Sequence, residues 1–391
     1  MCSYTGKIAF CQATGLDFFG VLRYRAKNME NQELLLDLLA QGAVEGFSSA
    51  PRVVETVISR VFVFEQEELV LKLYKRDNTW WNTSMRDLSQ GEARSSFKRQ
   101  DSAFNQFLNP KIYLDLKTAT IVDGRVVLVE PKEGDDELVI VMKKQDLKAI
   151  LTDVLFEQKL ALEDYATIGR MFAETKLAIP TTFLPEIETN WYKQMQGRLS
   201  DLKAWIESEE KFPKLLAAAS LSRLTEELEG HRAEFEAMLR NDLYVSIDCN
   251  SENLLFANGE LSFIDAYPPK DEWRIGSFEM DIFRTAADIY AFVGKEAYES
   301  YLHGVQEASA DRLNMELEGF YLLYAALIAC PYFLMLSKKD AKYEPKARKY
   351  MGLFLEKSLN QPLGIPGALV DAAEVEEFAG VVGVVGALEG F

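Results

Sequence analysis

The sequence predicts an α+β protein of two unequal parts, a small β-rich unit followed by a larger helical one. Three observations carry this. Between residues 51 and 144, Val-, Leu- and Phe-rich runs of strand length alternate with turn residues around a single helical stretch. From Asp146 onward the apolar residues recur at helical spacing. Within that helical part, a short strand-like run, 243–265, holds polar residues at regular intervals.

In order, residues 54–76, "VETVISRVFVFEQEELVLKLYKR", read as two strands turning at Glu65–Glu68. A helix over 92–109 is closed by Asn109-Pro110. Strands follow at 112–122, 126–130 and 137–143, the first two joined by the Asp123-Gly124 turn pair. Helices are expected at 146–157, 162–176, 187–209 and 213–240. Strands return at 243–247, 253–257 and 261–265, the last two joined through Asn258-Gly259. Helices at 278–292, 295–308, 312–336 and 341–358 complete the chain. The expected division is an N-terminal extension and helix (1–50), a β lobe (51–144), a helical lobe (145–360) and a Gly-rich acidic tail (361–391). Met29 opens a helix-like stretch, so residues 1–28 read as a short extension or as sequence upstream of the natural start.

Composition narrows the function. The 391 residues carry a net charge of −18, which repels phosphate backbones and argues against nucleic acid as a main partner. Cys2, Cys11, Cys249 and Cys330 are scattered without a Cys-x-x-Cys pair, which argues against a disulfide framework or a structural zinc site and fits a reducing, cytoplasmic setting. With only His231 and His303, both far in sequence from the polar run, a histidine metal cluster is excluded and a Ser-His-Asp triad is improbable. The start lacks the basic, then apolar, pattern of a secretory signal. The apolar run 320–336 is short for a membrane span and interrupted by Pro331, so it reads as a core helix.

The chemistry lies in "SIDCNSENLLFANGELSFIDAYPP", 246–269. Asp248 falls in a loop, Asn253 starts a strand and Asp265 ends the next. A hairpin sets Asn253 and Asp265 side by side, and an amide oxygen with a carboxylate is a hard oxygen pair that suits Mg²⁺. Asp248 is then placed to orient a hydroxyl and take its proton. Lys72, on a strand in "LVLKLYK", supplies a cation for phosphates. These parts are what phosphoryl transfer needs.

The run Asp248-x-x-x-x-Asn253, then Asp265, resembles the catalytic and metal motifs of aminoglycoside phosphotransferase-like kinases, which have a protein-kinase-like two-lobed fold. The likeness spans roughly residues 50–300 and points to a bacterial branch of the family. It implies a nucleotide-covering hairpin around Ser59 and a lysine strand at Lys72. It further implies Asp101 as the acidic partner of Lys72, Asp248 as catalytic base, and Asn253 and Asp265 as Mg²⁺ ligands. The expected activity is transfer of phosphate from ATP to a hydroxyl of a small molecule. Asp281, in "EMDIF", corresponds to the helix aspartate that braces the catalytic loop.

Several features depart from the family pattern. Ser246 and Ile247 stand where the loop usually has His-Gly, and the hairpin lacks a glycine-rich run. Glu92 rivals Asp101; nine residues apart on one helix, they face roughly opposite sides, so only one can meet Lys72. These departures keep open a non-catalytic scaffold on the same fold, and nothing in the residues excludes AMP transfer to a protein. Cys249 reads as an inert small residue rather than a nucleophile, and Trp80-Trp81 as a loop anchor rather than a stacking platform.

Overall fold

In the computed structural model, residues 32–359 are described, apart from residues 57, 188, 189, 209–211, 213 and 339. The readings on residues 1–28 and on the tail 361–391 lie outside the described residues.

The small lobe is built on one antiparallel sheet of six strands: β1 (Arg52–Glu55), β2 (Ser59–Phe64), β3 (Leu69–Tyr74), β4 (Tyr113–Val122), β5 (Arg125–Val129) and β6 (Leu138–Lys143), in the order β1-β2-β3-β6-β4-β5. Where the sequence suggested two strands over 54–76 there are three. The break falls at Thr56, whose hydroxyl bonds the Ser59 carbonyl at 3.0 Å and turns the chain. The expected Asp123-Gly124 turn has positive φ at both residues (49° and 73°), the requirement of a type I′ hairpin.

Alternation along β3 decides which way Lys72 points. Leu71 and Leu73 face a helix over 32–40, α1, and join Leu35, Leu36 and Leu39 in one apolar cluster. Val70, Lys72 and Tyr74 therefore face the opposite side. That side is covered by helix α3 (Gly91–Leu108) and opens toward the helical lobe; α2 (Thr79–Ser84), between β3 and α3, was not foreseen. On α2, Trp81 packs against the core while Trp80 is exposed.

The helical lobe comprises α4 (Leu151–Phe156), α5 (Leu162–Ala178), α6 (Trp191–Ser208), α7 (Lys214–Gly230), α8 (Arg232–Ala237), α9 (Phe278–Phe292), α10 (Lys295–Ser309), α11 (Glu318–Ser337) and α12 (Glu344–Leu359). The single helix expected over 213–240 is broken at His231, where φ of −101° and ψ of 22° leave the helical range. The apolar run 320–336 lies in α11, mostly buried among the other helices; Phe320, Leu323, Ala326 and Leu327 are core residues. It is the only described helix long and apolar enough to cross a membrane, and its burial makes it a core helix.

Two small strand pairs sit between α8 and α9: β7 (Tyr244–Val245) with β10 (Ile275–Gly276), and the hairpin β8 (Leu254–Ala257) with β9 (Glu260–Phe263). Asn258-Gly259 again has the type I′ signature, φ 53° and 75°. The strand expected over 243–247 shrinks to two residues because the Ile247 and Asp248 N–H groups bond the Asp281 carboxylate and the Ala266 carbonyl rather than a strand neighbour.

Helices α5 and α10 meet backbone to backbone. A Cβ added at Gly304 would lie 1.8 Å from the Ala166 carbonyl oxygen, and one at Gly169 would lie 2.0 Å from that of Tyr301. Gly304→Ala forces the pair apart and is expected to lower stability by about 1–3 kcal/mol, read as a lower urea midpoint. An unchanged midpoint would show that the helices have slack.

Candidate active site

The three polar residues of the 246–269 run come together at one end of the β8–β9 hairpin. Asn253 lies in a one-turn 3₁₀ segment capped by the Asn250 side chain, so it precedes the strand instead of starting inside it. Its amide donates to the Asp248 carbonyl at 2.9 Å and to the Asp265 carbonyl at 3.4 Å. These two bonds use the amide nitrogen and leave the side-chain oxygen as a remaining acceptor. Asp265 leaves β9 in the left-handed region, with φ of 50°. That backbone is unfavourable for aspartate by about 1 kcal/mol and persists only where neighbours impose it.

Tyr113 imposes it. Its hydroxyl accepts from the Asp265 N–H at 2.7 Å and donates to the Asp265 carboxylate at 3.3 Å. Burial pushes the Tyr113 phenol well above its ordinary pKa, so the proton it donates is retained. A bulge between Tyr113 and Asp115 shifts the β4–β6 register, leaving Tyr113 buried and Leu114 exposed. Nothing in the sequence pattern signalled this tyrosine, because a bulge is invisible to alternation counting.

Lys72 reaches across from β3, and its Nζ lies 2.6 Å from Asp265 Oδ1. The lysine is 5% exposed, while the Asp265 side chain is 48% exposed. Burial opposes charge on Lys72, but Asp265 and Asp101 outweigh it and leave its pKa raised.

Asp101, on α3, is buried and faces Lys72 electrostatically without touching it; its carboxylate accepts from the Tyr74 hydroxyl and the Asn105 amide, each at 2.7 Å. Glu92, in the first turn of α3, is exposed. Asn105 also accepts from the Ala266 N–H at 2.9 Å, so α3 is tied to the residue after Asp265. Ser59 is buried opposite Tyr74 on β2, its hydroxyl 2.8 Å from that of Thr56.

Asp248 opens to the cleft. Even so, the protein packed around it raises its pKa, with the Arg284 charge and an Asn250 hydrogen bond at 3.0 Å opposing the shift. The loop beneath it is held by Asp281 at the start of α9. That carboxylate accepts from the Ser246 hydroxyl at 2.7 Å, from the Ile247 N–H at 3.0 Å and from the Lys176 ammonium. Ser246 thus makes a bracing bond where the sequence raised doubt. Lys176, on α5, is fully buried and also donates to the Val245 carbonyl at 2.5 Å; helical spacing alone does not distinguish it from a solvated lysine. Cys249 is buried with its thiol 3.4 Å from the Asp281 carbonyl, and burial pushes its pKa far up, as befits a packing residue.

The arrangement offers an amide oxygen on Asn253 and the exposed Asp265 carboxylate beside the Lys72 ammonium and the exposed Asp248 carboxylate. Among the described residues no group of three or more His, Cys, Asp or Glu side chains is arranged to hold a metal by itself. The oxygen pair fits a hard divalent ion that takes its remaining ligands from a phosphate and water.

Taken together, the described residues define a two-lobed α+β protein whose lobes meet at a lysine–aspartate pair. Among solved structures, it is similar to the AMP-bound complex of spectinomycin phosphotransferase (14% identity, TM-score 0.47, 85% of this chain and 99% of that one). It is also similar to choline kinase from Cryptosporidium parvum (10%, 0.46, 84% and 96%) and to an aminoglycoside phosphotransferase from Streptomyces rimosus (13%, 0.38, 76% and 98%). No protein-family model and no curated protein sequence matches the chain.

Two outcomes follow from this geometry. Lys176→Met leaves the Asp281 carboxylate buried without its cation and is expected to cost about 3–5 kcal/mol, measured by chemical unfolding. A loss under about 1 kcal/mol would mean that the backbone and hydroxyl donors hold Asp281 unaided. Asp101 gives a pH signature. Burial raises its pKa from 3.8 to about 6, so the folded protein favours the protonated form. Its contribution to stability is full below about pH 4 and is lost as pH rises through about 6. Asp101→Asn removes that loss, so the melting temperature of the variant should gain on the wild type between pH 4.5 and 7; parallel curves would contradict the assignment.

Proposed function

We propose that the chain is an ATP- and Mg²⁺-dependent phosphotransferase that phosphorylates a hydroxyl of a small molecule. The observation that carries this reading is the 2.6 Å contact between Lys72 and Asp265, with Asn253 and Asp248 hydrogen-bonded into the same corner. A buried ammonium at a lobe boundary beside an oxygen pair matches the needs of a triphosphate. In this reading Lys72 exchanges the Asp265 carboxylate for the α and β phosphates when nucleotide enters. The turn between β1 and β2, with Thr56 and Ser59, covers the phosphates. Asn253 and Asp265 would hold the metal, whose charge would offset that building on the phosphate oxygens.

Asp248 orients the acceptor hydroxyl. As its oxygen bonds to the γ-phosphorus, the O–H proton passes to Asp248. The bond from phosphorus to the β–γ bridging oxygen breaks, and ADP leaves with that electron pair. The raised pKa of Asp248 suits a group that must accept this proton. Asp101 holds Tyr74, and the Asp101 charge favours the ammonium form of Lys72. The Ser246–Asp281 bond supports a catalytic rather than a purely scaffolding role, since the loop remains braced despite the altered residues.

Asp248→Asn is expected to lower turnover by about 10²–10⁴-fold while leaving stabilisation by ATP and Mg²⁺ intact. ADP release across a panel of alcohols, read beside a thermal shift, checks both. Full turnover in the variant would remove Asp248 from the chemistry, and absence of any nucleotide shift in the wild type would remove the kinase reading.

A further inference from the structure

A cavity of about 780 Å³ lies between the end of α2, the first turns of α6 and the segment 269–273 that follows Asp265. That segment is pinned to the catalytic loop at both ends: the Ala266 carbonyl accepts from the Asp248 N–H and the Arg274 carbonyl from the Ser246 N–H, each at 2.9 Å. The cavity wall therefore springs from the two strands of chain that hold Asp265 and Asp248.

In a protein of net charge −18, the wall is locally cationic, with Arg86, Lys193, Arg198 and Lys270 against Asp201, Asp271 and Glu272. The anions are already shared. Asp271 takes Arg86 at 3.2 Å and also Arg274, which stands behind the wall, at 2.7 Å. Asp201 lies 3.7 Å from Lys270. Glu272 is exposed.

Arg198 is 8% exposed and has no carboxylate within 4 Å among the described residues; it donates to the Glu272 and Ile275 carbonyls and to the Met280 sulfur, bonds the Tyr324 hydroxyl, lies over the Trp191 ring at 5.1 Å, and its buried Nε has no protein partner. Lys193, one and a half turns earlier on α6, is exposed and likewise makes no ion pair among the described residues. A nearly buried guanidinium held by neutral groups, with no counter-ion within 4 Å among the described residues, leaves positive charge in the cavity wall that an entering anion would balance.

We propose that this cavity receives an anionic group of the acceptor, so that the substrate is a small hydroxylated molecule carrying a carboxylate or a phosphate. The inference rests on the phosphotransferase reading for the word acceptor, but anion binding by the cavity stands without it. Arg198 supplies the fixed charge, Lys193 the mobile one, and the segment 269–273 sets the distance to Asp248. This selects against the polycationic acceptors that the acidic surface as a whole would attract.

Two measurements test it. Calorimetric titration of inorganic phosphate into Lys72→Met, which removes the competing phosphate site of the nucleotide cleft, should show binding that weakens about tenfold or more in Lys72→Met/Lys193→Glu. Lys193 is exposed, so this substitution leaves the fold intact; Arg198→Lys provides a second, conservative change in the wall. No binding, or equal affinity with glutamate at position 193, overturns the proposal whatever the fate of the kinase reading. ADP release by the wild-type chain is then followed with hydroxy acids, sugar phosphates, and cationic amino alcohols as three separate arms. Turnover in either anionic arm supports the proposal and distinguishes carboxylate from phosphate. Turnover confined to the cationic arm overturns it. Phosphate binding without turnover in any arm upholds the anion site and counts against the phosphotransferase reading alone.

Discussion

A lysine that is almost wholly out of water must find negative charge, and Lys72 finds it on the other lobe. That constraint organises the centre of the molecule. β3 presents Lys72 to the cleft because Leu71 and Leu73 are committed to the cluster beneath α1. Asp265 meets it because Tyr113 holds the aspartate in a left-handed backbone that its own preferences would not select. Asp101 then adds a second negative charge nearby, itself kept in check by Tyr74 and Asn105. Removing Lys72, Asp265 or Tyr113 leaves another ionised or strained group without its partner.

The second organising centre is Asp281. One carboxylate collects a hydroxyl, a backbone N–H and a buried ammonium, and each donor comes from a different part of the loop or from α5. The Gly169 and Gly304 contacts set how close α5 can lie to α10. The position of Lys176 therefore depends on α5 packing tens of residues away in sequence from the loop it supports. Asp288 repeats the device about two helical turns later, accepting from the Ser251 N–H at 2.7 Å, from Arg284 at 2.7 Å and from the Tyr350 hydroxyl at 2.6 Å.

The sequence was most legible where short-range rules act. Asn258-Gly259 and Asp123-Gly124 announce their turns because only residues tolerant of positive φ close a two-residue hairpin. Alternation places Lys72, and the spacing of Asp248, Asn253 and Asp265 brings the three to one end of a hairpin. Legibility fails where long-range contacts decide. The bulge that buries Tyr113, the lysine on α5 that meets Asp281, and the charge balance around Arg198 depend on partners 30 to 150 residues distant. Over α6–α8 the sequence predicts two long helices because its apolar spacing persists through the break at His231, a break the backbone makes without proline.

The central claim is that Lys72 and Asp265 form one functional unit. A four-way comparison of the wild type, Lys72→Met, Asp265→Asn and the double variant tests it, with the Mg²⁺-dependent thermal shift by ATP as the readout. The account predicts that either single change removes most of the shift and that the double variant loses little more. Independent, additive losses, or a full shift in either single variant, would show that the two side chains do not act on one triphosphate.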